Sequence, residues 1–256
     1  MTSATRERLI ELAERYETKD FLKKDPSQFM HRYQEKKDQE VMAFIAANLA
    51  FGKREQILSH VETVCKSIKE YGNDSPAEWI SSASYTKLFR KSDESFYRMM
   101  SHNTMRLFCR TLESLLEKYG SLEKGVKLSY EKNGDLYLHH TIASLFPKEC
   151  AIVCHGKTSS AKRLQMFLRW MVRNNSPVDL GLWSAWYSKE KLLMPLDTHV
   201  MQEGAKLNLI EKTASGKTPS PTLKIAEKLT EAMKEVFPDD PTRGDYALFG
   251  LGVSAP

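Results

Sequence analysis

The chain has 256 residues and a mass of 29.4 kDa, a length at which a core forms without help from disulfides or structural metal. Hydrophobic residues make up 41% and charged residues 28%, and no run approaches the roughly 18 to 20 apolar residues of a membrane span, so a stapled miniprotein and a transmembrane helix are both excluded. The formal charge is +5, and five cations (Lys157, Lys162, Arg163, Arg169 and Arg173) fall between Cys150 and Val178 with no acid among them, so the whole surplus sits in one window and points to a polyanionic partner.

Met1 to Glu17 reads MTSATRERLIELAERYE. Charges interrupt every apolar cluster in it, which gives neither a signal-peptide core nor a transit pattern and makes the cytoplasm the expected location. Strand signals are nearly missing and Leu, Met, Ala, Lys and Glu dominate the periodic stretches, so an all-α protein is expected. Val41, Phe44, Ile45, Leu49 and Phe51, interleaved with alanines, predict a core helix over 38–51 opened by Asp38 as its cap. Ile57, Val61, Val64 and Ile68 predict a second over 54–71, ended by Gly72. Two further helices are expected over 93–119, with a break near Ser101 and a stop at Gly120. A less regular stretch follows, with a turn at Asn133, Gly134 and Asp135 and then the apolar helix LYLHHTIASLF.

Over 161–173 a helix is predicted with Leu164, Phe167, Leu168 and Met171 on one face and Lys162, Arg169 and Arg173 on the opposite stripe. Pro177 stops it, and a loop holding Trp183, Trp186 and Tyr187 leads to LDTHVMQEGAKLNLI, where Asp197 is placed to cap a helix. Thr213 to Pro221 reads as a loop, Thr222 to Phe237 as a helix, and DDPTRGDYALFGLG as a last turn before the abrupt ending GLGVSAP. With no repeat and no low-complexity linker, residues 1–256 are expected to form one compact helical unit of one or two lobes.

Several chemical readings fall away. The triplets at Gly156 and Gly216 (Gly-Lys-Thr) lack the glycine five positions earlier that a phosphate loop needs; Ala151 and Glu211 stand there. Cys65, Cys109, Cys150 and Cys154 read as thiols without a ligand set, His139 and His140 as residues of an apolar helix, and Asp197 and His199 point about 200° apart on a helix. No metal and no cofactor is expected.

The better constellation is Lys162 with Asp197. A lysine is a nucleophile only as the neutral amine, which neighbouring cations or desolvation favour. The polar loop Gly156, Lys157, Thr158, Ser159 and Ser160 precedes it, and its amides together with the helix start could hold a nucleic-acid phosphate, with Arg163 and Arg169 beside it. Asp197 could stabilise positive charge on a sugar, and Trp170, Trp183, Trp186 and Tyr187 are candidates for stacking on a base. The plainer alternatives stay open: Lys162 as a solvated lysine, Asp197 as a helix cap, Arg169 and Arg173 as ion-pair partners of acids such as Asp179.

The string PLDTHV, residues 195–200, resembles the segment carrying the catalytic aspartate in the helix-hairpin-helix (endonuclease III-like) DNA glycosylase superfamily, with Asp197 in that aspartate's place. Lys162 matches the Schiff-base lysine of the bifunctional members, and its separation from Asp197 is similar to that in the archaeal 8-oxoguanine DNA glycosylase branch. The strings DQEVMAFIAANLAFG, SSAKRLQMFLRWMVR, VDLGLW, LDTHV and DPTRGDYALFGLG look like the signature blocks of a bacterial family of unknown function, frequent in Bacteroidetes and regarded as a remote branch of that superfamily.

The resemblance implies a two-lobed helical fold, a hairpin, basic helix and aspartate helix within 150–210, and a DNA glycosylase with AP lyase activity. Its partner would be double-stranded DNA with a damaged or abasic nucleotide, and its location the nucleoid. CHGKTSSAKR holds one glycine where the better-known enzymes have Gly-x-Gly, and no four-cysteine block follows Asp197, so no iron-sulfur cluster is expected. The rival readings are a catalytically inactive nucleic-acid-binding protein of the same fold and a helical protein-interaction module.

Overall fold

A computed structural model of the chain describes residues 1–254, and the last two residues of the GLGVSAP ending lie outside them. The described residues are mostly helical. They divide into two compact units, one made of residues 24–155 and the other of residues 1–23 with the chain from Gly156 onward. No helix among them is long and apolar enough to cross a membrane.

The chain opens with α1 (Ser3–Tyr16), capped by the Thr2 hydroxyl, and the short α2 (Lys19–Leu22). Leu9, Leu12 and Ala13, at i, i+3 and i+4, form the buried stripe of α1.

Unit 24–155 is built around α3 (Lys36–Leu49), in which every residue from Glu40 to Leu49 is buried. Such a helix is a core element rather than an amphipathic cover. It starts earlier than expected, after Glu35, and Asp38 does not cap it. The Asp38 carboxylate instead accepts from Ser75 Oγ at 2.6 Å and from the amide of Ala77 at 2.9 Å, at the head of α5. Next comes α4 (Arg54–Tyr71), ended at Gly72 as the pattern predicts, then α5 (Pro76–Ser81) and α6 (Tyr85–Leu88).

The helix expected after Asp93 is not there. Ser95–Tyr97 (β1) pairs antiparallel with Met100–Ser101 (β2), and Ser101 then caps α7 (His102–Tyr119). Gly120 ends α7 at φ +83° in the left-handed region. The stretch read as irregular holds α8 (Leu122–Asn133), closed by Gly134 at φ +65° where the turn was expected, and the apolar helix expected after it is α9 (Leu138–Ser144). Stacked rings of Phe44 and Phe108, 5.4 Å apart, with Phe146 against both, fill the centre.

The other unit contains α10 (Lys162–Val172), α11 (Thr198–Lys206), α12 (Leu223–Lys234) and α13 (Gly244–Ser254). In α10 all residues from Leu164 to Val172 are buried, so the expected solvent-facing cationic stripe is corrected: Arg169 and Arg173 point inward. The loop after α10 folds back on it. The amides of Leu180 and Gly181 donate to the Trp170 carbonyl at 2.8 and 3.1 Å, and that of Trp183 donates to Met171 at 2.7 Å, closing carbonyls that a helix end leaves open. α13 packs on α1 and α11. A Cβ on Gly250 would lie 2.2 Å from Tyr16 Cδ2, and one on Gly252 2.5 Å from His199 Cβ, so both glycines are required for this close approach.

Candidate functional site

The site is built from three helix starts in the unit that contains α10. Lys162 is the first residue of α10 and is half-buried. Ala161 before it holds φ 46°, ψ 42°, a left-handed conformation that costs an alanine about 1 to 2 kcal/mol. The surroundings hold it there: the Ala161 amide donates to Ser159 Oγ at 3.1 Å, Ser159 bridges to Thr222, and the Leu223 amide donates to the Thr158 carbonyl at 2.8 Å. The loop before Lys162 is thereby fastened to the start of α12.

Asp197 caps α11, as predicted, with Oδ1 accepting from the Val200 amide at 2.8 Å. The third member, Asp245, lies in the first turn of α13 with 6% of its surface exposed. Its Oδ2 pairs with Arg169 Nη1. Burial drives the Asp245 carboxyl up to about 7; the neighbouring charges of Asp197 and Asp179 act in the same direction, and those of Arg169 and Lys162 oppose them. Lys162 and Asp197 therefore lie within electrostatic reach of one buried carboxylate.

Asp245 leads into a larger ion network at the far end of α10. Arg169 Nε lies 3.4 Å from Asp179 Oδ1, and Arg173 pairs with Asp179, with Asp240 (Nε to Oδ1, 2.8 Å) and with Glu17 (Nη2 to Oε1, 2.8 Å). Tyr246 donates its hydroxyl to Asp179 Oδ2 at 2.9 Å, and its ring lies under both guanidinium groups. Arg243 closes the circuit on Glu17 at 2.9 Å. Burial alone would weaken the charge on Arg169 and Arg173, but the surrounding anions hold both firmly protonated. Burial likewise pushes Glu17 up, and Arg173 and Arg243 together pull it below its ordinary value.

Several expected roles are corrected by this placement. Arg169 is 3% exposed and committed to carboxylates, so it offers nothing to a phosphate, and neither arginine acts as an uncompensated cation on Lys162. Ion pairing with Asp179, the plainer alternative, is what these arginines do. Trp170 and Trp183 are wholly buried and Tyr187 nearly so, which removes them as stacking surfaces; Trp186 keeps a partly exposed ring.

Gly156, Lys157 and Thr158 are exposed, Ser159 and Arg163 are half-buried, and Ser160 is buried. Two of the amides expected to face a phosphate are already engaged inside the loop, Ser159 with the Gly156 carbonyl and Ala161 with Ser159 Oγ. Residues 145–161 contain no helix, so no tight hairpin joins α9 to α10. The division between the compact units falls inside the 150–210 segment, at Gly156.

Sequence reasoning missed Asp245, Asp240, Glu17 and Tyr246. The signal available was the pair of acids set among apolar residues in DPTRGDYALFGLG. Elsewhere the cysteines are free thiols; Cys65, Cys109 and Cys150 are buried and Cys154 is half-buried. His139 is buried, and burial followed by the charge of His140 lowers it to about 3, so it is neutral at ordinary pH. Among the described residues no group of three or more His, Cys, Asp or Glu side chains could hold a metal ion.

In comparison with known proteins, residues 25–254 match the family described as "Protein of unknown function (DUF2400)". No curated protein and no solved structure gives a significant match.

Proposed function

The chain belongs to that family, and for this member we propose a DNA base-excision enzyme, a glycosylase with AP lyase activity acting through a lysine imine. The observation that carries the reading is that Lys162, at the head of α10, and Asp197, at the head of α11, are both among the charges that act on the buried Asp245. An amine and a carboxylate sharing one local field, on rigid helix starts, are the two groups this chemistry needs. The resemblance around PLDTHV supports the same pair. Lys157 and Arg163, in the loop and first turn beside Lys162, supply phosphate contacts, and Trp186 is the aromatic side chain left to meet a base.

The damaged nucleotide leaves the duplex at a cost of a few kcal/mol. The neutral Lys162 amine attacks the anomeric carbon while the carbon–base bond breaks and the base departs, and Asp197 stabilises the cationic sugar. The bond from the anomeric carbon to the ring oxygen then breaks, the oxygen taking the amine's proton, to leave an imine, and loss of a C2′ proton to solvent expels the 3′ phosphate by β-elimination.

The test is borohydride reduction of the protein mixed with duplexes carrying an abasic site or one of a panel of damaged bases. Wild type is expected to be trapped covalently, Lys162→Ala to give no adduct, and Asp197→Asn to form it about tenfold or more slowly. Salt-dependent DNA binding without an adduct on any duplex would replace the enzyme by a binding protein. Loss of both would leave the protein-interaction reading.

A further inference from the structure

The cations grouped ahead of Val178 do not act together. Arg169 and Arg173 are held by carboxylates inside the unit, so a polyanion must find its charge elsewhere, and the fold brings further lysines to the edge where Lys157 lies. The Leu223 amide donates to the Thr158 carbonyl at 2.8 Å, and Ser159 bridges to Thr222. That bond puts the Cα atoms of Lys157 and Lys224 at most about 14 Å apart, the rise of about four phosphates along one strand of B-DNA.

Lys224, in the first turn of α12, lines a cavity of about 250 Å³ together with Lys212, Lys228 and Glu211. The apolar wall is fixed from α11. The amides of Leu209 and Ile210 donate to the Gly204 carbonyl at 2.8 and 3.1 Å, and a Cβ on Gly204 would lie 2.8 Å from Ile210 Cδ1. Ile225 lines the cavity from α12. Lys228 pairs with Glu211 at 3.2 Å, which neutralises the acid of the lining. Lys212 and Lys224 are exposed and form no ion pair among the described residues, whereas Lys189, Lys206 and Lys234 of the same unit each meet a carboxylate. The cavity therefore combines apolar walls with two uncompensated ammonium groups. A sugar-phosphate backbone alternates an apolar sugar face with an anion, which is the matching pattern.

We propose that this cavity and the loop at Lys157 form one nucleic-acid track, in which Lys157, Lys212 and Lys224 take phosphates of a DNA duplex and the sugars lie against Ile210 and Ile225. The inference rests on DNA as the partner and carries the phosphate contacts beyond the loop and first turn beside Lys162; it does not need the imine chemistry.

The test is binding of an undamaged duplex across a salt series, because each lysine that meets a phosphate adds about 0.9 to the slope of log affinity against log salt. Lys212→Gln combined with Lys224→Gln should bind about tenfold or more weakly at about 100 mM salt and lower the slope by about 2. Lys66→Gln combined with Lys69→Gln, which removes the same charge from exposed positions on α4, should leave the slope unchanged. A second measurement needs no variant. In wild type, acetylation of Lys212 and Lys224 by the N-hydroxysuccinimide ester of acetic acid, read by peptide mass spectrometry, should slow when the duplex is added, while that of Lys66 and Lys69 should not. Parallel salt plots for wild type and the Lys212 and Lys224 variant, an equal loss in both variants, or acetylation that ignores the duplex overturns the proposal. Polyglutamate that protects the two lysines where the duplex does not overturns it as well, in favour of an acidic protein segment. Absence of a borohydride adduct in a wild type that passes these measurements overturns the lyase reading alone.

Discussion

Two helices, α3 and α10, are each buried on every side, and each carries charge into a core, yet they neutralise it in different ways. In α3 the buried acid is Glu40, whose two carboxylate oxygens accept from the backbone amides of Leu122 and Glu123, both at 2.8 Å, at the head of α8. Asp38, two residues earlier, accepts from the Ala77 amide at the head of α5. These carboxylates meet helix dipoles, and their effect is to fix where another helix begins. In α10 the buried charges are guanidinium groups held by Asp179, Asp240, Asp245 and Glu17. Amide dipoles cannot change their charge state, whereas a cluster of titratable groups can. The first arrangement is architecture; the second is a cluster whose charge balance can respond to pH.

The comparison breaks if the two kinds of burial respond alike. Asp179 touches Arg169, Arg173 and Tyr246, so Asp179→Ala leaves guanidinium charge uncompensated in the core and should cost about 3 to 5 kcal/mol in urea denaturation. Glu40→Ala removes two charge-assisted bonds to amides that still belong to a helix end, and should cost about 2 kcal/mol.

Dependence on pH should separate the units by sign. The native carboxyl of Asp245 is raised from its ordinary 3.8 to about 7. The folded state therefore binds a proton there that the unfolded state has lost, and this contribution is full below about 4 and disappears as pH rises to about 7. His139, in the other unit, is lowered from 6.5 to about 3. Its contribution is full above about 6.5 and is lost as pH falls towards 3. Each group contributes a slope of at most about 1.4 kcal/mol per pH unit. Hydrogen exchange of core amides over pH 4 to 7 should show α10 weakening and α9 strengthening, and Asp245→Asn and His139→Phe should each flatten the trend in their own unit only.

The smallest effect is at the helix ends of unit 24–155. Gly120 and Gly134 have left-handed backbones with open space around them, so alanine at either should cost about 1 kcal/mol from the backbone alone, read as a small loss in thermal midpoint.

What the sequence made legible was local. The apolar period and Gly72 delimit α4, the helix read from Thr222 is α12, and Asp197 caps α11, because these signals are written within one or two turns. The β1–β2 hairpin was read as helix because Phe96, Tyr97, Met99 and Met100 form an apolar run too short for its period to be resolved. Asp38 has the form of a cap and is one, but for a helix nearly forty residues away. The same limit applies to the site. The stripe Lys162, Arg169 and Arg173 is plain in the period of α10, while the acids that turn two of these cations inward come from the end of α1, the loop after α10 and the start of α13. Periodicity shows that residues share a face; it does not show what that face meets.

The backbone seam between Thr158–Ser159 and Thr222–Leu223 also bears on how the chain can change length. Residues 213–221 are almost wholly exposed, and Thr213 and Lys217 close a small loop of their own around Gly216. A peptide inserted after Gly216 lengthens only this outer loop. A single residue inserted between Thr222 and Leu223 would instead separate the bridge to Ser159 from the bond to Thr158, and so disturb the strained peptide that introduces Lys162. The loop before Thr222 can take added length, whereas the step from Thr222 to Leu223 is held to a fixed count.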